Sequence, residues 1–359
     1  MRPLEFGWYL PTHGDTTAYG LAEAQIAGSP ELCERVVAAA EKAGFEYLLI
    51  PVGSTCWEAW ISGAFMAARS ATIKPLIAAR PGYINPVLMA KMISTFDQMS
   101  GGRICINLIA GQNESEVEAE GVRYAKEERY ALMEEEVSIL KALWTTPGPV
   151  HFQGKFHTLS GAHIKPKPLQ KPFPKFYLGG GSLQAWEMSA KHSDVHLFWG
   201  DLPDKIAQNI TEIREMAREH GRENEIGFGM RLQIICREDE KEAWEAADQL
   251  VRHATERLKQ ERNTLYSNSV ANQRVQQLAR EHGDLLLPHL WTGITKVRPG
   301  AGIAVVGNPS QCAGMLQQFI DAGCHSFCLS GYLHDEEAER FGRLVRPILA
   351  ENNRGRLAA

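Results

Sequence analysis

Phe6-Gly7-Trp8-Tyr9-Leu10-Pro11-Thr12-His13-Gly14-Asp15 is an apolar run that stops at a proline and gives way to a hydroxyl, a histidine and a carboxylate around a glycine. The run reads as a strand buried on both faces, the pattern of a parallel sheet. Titratable side chains just past the carboxyl end of such a strand are where α/β enzymes keep their chemistry. Working outward, the pattern recurs. Counting the first at 5–10, eight strands are predicted, the others at 46–51, 74–80, 103–109, 175–179, 194–198, 228–236 and 325–330.

Helical patterns fill the gaps between them. Ser29-Pro30 is an N-cap followed by proline at the first helical position, and Gly44 closes that helix. Pro86 opens another, ended by Gly101-Gly102, and Pro203 opens a third, ended by Gly221. Eight strand–helix alternations with near-continuous apolar strands point to a (β/α)8 TIM barrel of the α/β class. A doubly wound open sheet is the alternative, but no Gly-x-Gly-x-x-Gly follows the first strand. Three stretches fit poorly as simple connections: 111–128, 148–174 with a hairpin pattern at 150–157, and a long 261–300 ending in Arg298-Pro299-Gly300-Ala301-Gly302. Long loops in compact enzymes act as lids about as often as they are plain surface insertions.

At 359 residues, with 44% hydrophobic and 23% charged side chains, the chain has ordinary globular composition. Its net charge of −5 is spread without a basic stripe, so no nucleic-acid partner is expected. No apolar run reaches membrane-spanning length and no leader pattern opens the chain, which predicts a cytoplasmic protein without a membrane partner. The seven cysteines form no CxxC pair, and Cys324-His325-Ser326-Phe327-Cys328 reads as a strand rather than a metal site. No metal is expected.

In a barrel the strand ends converge on one mouth. They would bring there His13 and Asp15; Gly53-Ser54-Thr55-Cys56; Arg80; Asn107 and Gly111-Gln112-Asn113; Gly179-Gly180-Gly181-Ser182; Trp199; Arg231 and Gln233; and Tyr332-Leu333-His334. Each has a bland alternative: a lone histidine is usually structural, Cys56 could be a buried filler, and Arg80 and Arg231 could close salt bridges at the rim. The Gly179–Ser182 run carries the clearest mechanism. Its glycines let backbone approach a phosphate closely, and the short helix predicted after it directs N–H groups at the anion. Arg129 and Tyr130 would add donors. Arg80, Arg231 and Arg298 are the candidate ligands for an oxyanion such as carboxylate, phosphate or sulfonate.

Together, Tyr9-Leu10-Pro11-Thr12-His13-Gly14-Asp15, Gly53-Ser54-Thr55-Cys56-Trp57-Glu58-Ala59-Trp60, Asp97-Gln98-Met99-Ser100-Gly101-Gly102-Arg103, Tyr177-Leu178-Gly179-Gly180-Gly181-Ser182, Val297-Arg298-Pro299-Gly300-Ala301-Gly302 and Leu329-Ser330-Gly331-Tyr332 resemble the alkanesulfonate monooxygenase branch of the bacterial luciferase-like flavin monooxygenases. The likeness spans nearly the whole chain. It implies one luciferase-like barrel domain over 1–359, with insertions near 111–128 and 148–174 and a lid-like loop at 261–300. It also implies a two-component system: an NAD(P)H-dependent flavin reductase supplies FMNH2, which with O2 cleaves the C–S bond of a small organosulfonate to an aldehyde and sulfite.

By position, His13, Cys56, Arg231, Arg298 and Tyr332 match the family's catalytic residues. Trp199, Arg231, Gln233, Arg298 and His334 fall at substrate-binding positions, and Asn107, Tyr130, Gly180, Gly181 and Ser182 at flavin-binding ones. Departures are Gln233 where the alkane-type enzymes carry histidine, Trp57 in place of an acidic residue, and Tyr332-Leu333-His334 for Tyr-Pro-His. An amide, an aromatic face and a histidine lean towards a hydroxylated sulfonate such as sulfoquinovose, the substrate of the sulfoquinovose monooxygenase branch, with alkanesulfonates and methanesulfonate as alternatives. A flavin or deazaflavin enzyme on a non-sulfonate substrate is the second alternative. The resemblance further implies a homodimer or dimer of dimers, through helices around 86–99 and 126–145.

Overall fold

A computed structural model describes residues 2–111, 113–265, 268–298 and 300–357. Gln112, and Tyr266, Ser267 and Pro299 of the predicted lid-like stretch, lie outside the described residues. Eight parallel strands form the barrel: β1 (Glu5–Tyr9), β2 (Tyr47–Ile50), β3 (Lys74–Ala79), β4 (Cys105–Leu108), β5 (Phe176–Gly179), β6 (Val195–Trp199), β7 (Gly227–Cys236) and β8 (Ser326–Ser330). Each pairs with its neighbour in sequence, and β8 pairs with β1, Phe6 opposite Phe327, so the sheet closes with no edge. All eight predicted strands are present.

The strands read as continuous apolar runs because both of their faces are covered. One side-chain set, including Phe6, Trp8, Leu48, Ile106, Met230 and Phe327, packs outward in the main core. The alternate set fills the lumen. At its floor Tyr47 and Tyr177 pack with ring centroids 5.4 Å apart. Gly7 makes room for this: a Cβ there would lie 2.0 Å from the Tyr47 ring. The Tyr177 hydroxyl donates to Glu5 at 2.6 Å, so the floor's polar groups satisfy one another. Higher up, Tyr9, Leu49, Asn107, Gly179, Trp199, Arg231, Gln233 and Ser330 continue the same alternation to the mouth.

The predicted helix signals hold. Ser29 caps Pro30–Lys42, Asn85 caps Pro86–Met99, and Pro203 begins Pro203–Arg218. The hairpin pattern is an antiparallel pair, Val150–Gln153 with Thr158–Ala162. Residues 111–128 contain the helix Glu114–Ala119 and the start of Lys126–Thr145. Several short strands escaped the sequence reading, among them Gly14–Thr16 paired with Gln25–Ala27. Ala304–Gly307 is a short strand that pairs parallel to the outer half of β7, Gln233 opposite Ala304. It anchors the preceding excursion, whose helix Val270–His282 and 3-10 turn Gly293–Lys296 lead into it. Beneath the excursion Ile235, Leu250, Trp291, Ile294 and Val297 make a small second core. No described helix is long and apolar enough to cross a membrane. Among the described residues no group of three His, Cys, Asp or Glu could hold a metal ion.

Candidate functional site

β5 runs out at Gly179 into the turn that precedes the helix Leu183–His192. Gly180 has φ +141°, and a Cβ there would sit 2.9 Å from the Ala185 Cβ, so only glycine fits the turn. Ser182 caps the helix, its hydroxyl accepting from Ala185 N–H at 3.3 Å. The Gly180 carbonyl is held by Trp186 Nε1 at 3.2 Å, which turns the backbone so that the helix start stays open. Tyr130 leans in from Lys126–Thr145 with its hydroxyl towards Ser182. The helix starts 3.5 Å from Ala271 of the excursion, measured from the position a Gly181 Cβ would take. Glycine backbone, a helix N-terminus and two hydroxyls come together in this cradle-shaped turn, an arrangement whose chemistry suits an anion. Asn107 stands on the lumen face of β4, level with Ala78 of β3.

Across the mouth lie the two arginines. Arg231, midway along β7 on its lumen face, is 6% exposed. Its guanidinium donates to the Leu232 carbonyl at 2.9 Å, the Ser330 hydroxyl at 2.9 Å and the Cys328 carbonyl at 3.3 Å, and its Cζ lies 5.1 Å from the centre of the Tyr9 ring. Arg298 Nε donates to the Tyr332 hydroxyl at 2.8 Å and Nη1 to the Ala301 carbonyl at 3.1 Å. Tyr332 in turn shares a 2.7 Å hydrogen bond with Tyr19. Every one of these partners is neutral. Among the described residues neither guanidinium has a carboxylate within ion-pair distance. Burial pulls the Arg231 pKa below the usual guanidinium value, and the Arg298 charge adds to the pull. Burial also opposes the charge on Arg298, but the hydroxyls of Tyr332, Tyr19 and Tyr9 outweigh it and the net shift is upward. Two positive groups facing one another in a partly dry mouth create strong demand for an anion.

The other sequence candidates fall into two groups. Arg80 and Arg129 are committed elsewhere. Arg80 is clamped by Glu116 and Glu120, each at 2.6 Å, and Arg129 by Glu114 at 2.8 Å together with the Ala110 and Tyr124 carbonyls. They hold the helix Glu114–Ala119 and its flanks to the barrel; neither has a guanidinium open to a substrate oxyanion. Cys56 lies in the loop after β2, partly buried, and burial pushes its thiol pKa up, so it is a neutral thiol at pH 7. His13 is exposed, its ring edge-on to Tyr9 with centroids 6.1 Å apart.

His334 is 1% exposed and sits over Asp15: its Nδ1 lies 2.9 Å from Asp15 Oδ2 and its backbone N–H donates to the same oxygen at 2.8 Å. Burial raises the Asp15 pKa, but the His334 contacts outweigh it and hold the carboxyl below its usual range. This pair pins the segment after β8 to the segment after β1, and places the His334 ring against Tyr9 and Tyr332. Sequence reading noted Asp15 and His334 separately but not their pairing, which joins positions 319 apart. It missed Tyr19, which lies in no motif, and quoted Ser330 only as part of Leu329-Ser330-Gly331-Tyr332 without a role.

The excursion covers this mouth. A Gly300 Cβ would touch Trp199 at 3.7 Å, Ala301 accepts from Gln233 Nε2 at 3.3 Å, and Arg274 pairs with Asp201 beyond β6 at 2.7 Å. Arg298, Gln233, Trp199 and Tyr332 therefore meet in one place, with the Gly180–Ser182 cradle at its side.

A family model described as luciferase-like monooxygenase matches residues 4–326. Among solved structures, DmoA from Hyphomicrobium sulfonivorans superposes with TM-score 0.80 at 18% identity, covering 100% of this chain and 90% of its own. EDTA monooxygenase from Chelativorans sp. BNC1 gives 0.76 at 17%, covering 98% and 94%. A riboflavin lyase solved with modified FMN and riboflavin gives 0.79 at 18%, covering 99% and 93%.

Proposed function

The chain belongs to the luciferase-like monooxygenase family, and from that premise we propose that it is a two-component, FMNH2- and O2-dependent monooxygenase that cleaves the C–S bond of an organosulfonate. The observation that carries the reading is the pair of guanidiniums, Arg231 and Arg298, bound only to neutral groups at a covered mouth. A sulfonate is a compact, permanently charged anion whose three oxygens suit two guanidinium forks.

The residues present fit FMN. Gly180, Gly181 and Ser182 would take its phosphate, with the Tyr130 hydroxyl as a further donor, and Asn107 would face it from the lumen. Reduced FMN, delivered by a separate NAD(P)H-dependent reductase, would supply the electrons that activate O2. The balance is one sulfonate, one O2 and one FMNH2 to one aldehyde, one sulfite, FMN, water and a proton. The chain's own part is positioning. Arg231 and Arg298 hold the sulfonate, and Tyr332 and Tyr19 fix Arg298. The excursion, acting as a lid over 261–300, excludes water, which strengthens every charge interaction beneath it. Cys56, as a neutral thiol, and the exposed His13 shape the entrance, and neither is a nucleophile or base. Trp199 and His334 line the substrate side, His334 through its contact with Tyr332.

Within the sulfonates the reading favours sulfoquinovose, giving 6-oxo-glucose and sulfite, over alkanesulfonates and methanesulfonate. Leu88, 54% exposed on Pro86–Met99, supports a homodimer or dimer of dimers through that helix and Lys126–Thr145. The test is sulfite release from methanesulfonate, octanesulfonate and sulfoquinovose with FMN, a flavin reductase and NADPH. Reductase-dependent sulfite from at least one is expected; none from any would overturn the proposal.

A further inference from the structure

The side-chain carbonyl of Gln233 is a buried group beside Arg231 that the site so far leaves unexplained. Gln233 is 1% exposed, and its Oε1 has no hydrogen-bond partner among the described residues. The amide cannot be turned over to cure this, because its Nε2 donates to the Ala301 carbonyl, which can only accept. The Gln233 backbone N–H is already committed to the Ile303 carbonyl. Ser330, its neighbour across the β7–β8 pairing, accepts from Arg231 and keeps its own O–H, but that O–H makes no hydrogen bond to Gln233 Oε1. A buried acceptor left without a donor is a standing cost to the fold, retained where a ligand completes it.

Its position says what that ligand carries. Gln233 follows Arg231 by two residues on the same lumen face of β7, roughly 6–7 Å further along the strand. A donor meeting Oε1 therefore sits a few bonds away from the anion that meets Arg231. Resting on the sulfonate reading above, we infer that Gln233 is a specificity-determining residue. Its Oε1 accepts a hydrogen bond from a hydroxyl two or three carbons from the sulfonate, so hydroxylated sulfonates are the substrate class and plain alkanesulfonates are rejected. Rejection follows because an alkyl group leaves the buried acceptor unpaired in the transition state, whereas a hydroxyl pairs it.

The test compares 3-hydroxypropanesulfonate with propanesulfonate, a pair differing by one hydroxyl, by sulfite release in the coupled reductase assay. The wild-type protein should show kcat/KM higher for the hydroxylated compound by on the order of tenfold or more. Gln233→Met, which keeps the length and removes the acceptor, should bring that ratio to about one, and the variant without substrate should melt no lower than wild type. Equal kcat/KM for the two compounds in the wild type, or an unchanged ratio in the variant, overturns the inference and leaves the sulfonate reading standing. Sulfite from neither compound, nor from any sulfonate in the wider panel, overturns both. The wild-type ratio is decisive by itself should the variant fail to fold.

Discussion

Arg80 and Arg129, at one side of the barrel mouth, are gripped by carboxylates; Arg231 and Arg298, at the other, are bound only by hydroxyls and carbonyls. By residue type Arg80, Arg231 and Arg298 are indistinguishable in the sequence. What separates them is compensation. A charge neutralised inside the chain holds the chain together, whereas one left unneutralised in a covered mouth is completed by something else. The excursion makes that second arrangement tolerable, since Tyr332, Tyr19 and the Ala301 carbonyl hold Arg298 in place without cancelling its charge.

Substitutions at the four arginines should separate along the same line. Arg298→Ala or Arg231→Met should lower kcat/KM for the sulfonate that yields sulfite by about 100-fold or more, with secondary structure by circular dichroism unchanged. Loss of less than about threefold would remove the residue from anion recognition. Arg129→Met should act on stability instead. It strands Glu114 and three backbone carbonyls, at a cost of about 2–3 kcal/mol, the partial exposure of Glu114 keeping it below a fully buried pair. Urea denaturation would measure it, and a variant as stable as wild type would show that the clamp is idle.

Gly180→Ala addresses the cradle beside the arginines. With φ at +141° and a contact at 2.9 Å, it should weaken FMN binding by about tenfold in fluorescence titration and also lower the melting temperature, since alanine strains the turn. A smaller effect is expected at Glu136, buried behind Arg80, whose pKa burial raises to about 7. Its carboxyl accepts from Gly82 N–H and faces His157, 3.5 Å away. Because the folded pKa lies above the unfolded one, the protonated form favours the fold, and stability falls as pH rises from about 4.5 towards 7. Glu136→Gln should therefore gain stability over wild type by roughly 1–3 kcal/mol at pH 8 and lose that advantage at pH 5. A difference independent of pH would contradict the shift.

The barrel was legible because its strands are short apolar runs with helices punctuated by Ser29-Pro30, Pro86 and Pro203, all local signals. The glycine cradle was legible for the same reason. Compensation was not: Glu116 and Glu120 reach Arg80 from 36 and 40 residues away, and Asp15 meets His334 across 319. No spacing rule connects such pairs; the closed barrel brings them together. Ala304–Gly307 went unread because a four-residue apolar run carries no mark that it belongs beside β7 rather than in a loop.

The account rests on Arg231 and Arg298 forming an unsatisfied positive pair, and a thermal melt of the protein without flavin tests it most directly. Adding a saturating sulfonate should raise the wild-type melting temperature by several degrees, as an anion binding only the folded state must. Arg298→Met, which loses the bonds to Tyr332 and Ala301, should melt within a few degrees of the ligand-free wild type and should show no ligand shift. A wild type indifferent to the sulfonate, together with an Arg298→Met variant that melts well below it, would mean that Arg298 is a structural residue and that the anion site is elsewhere.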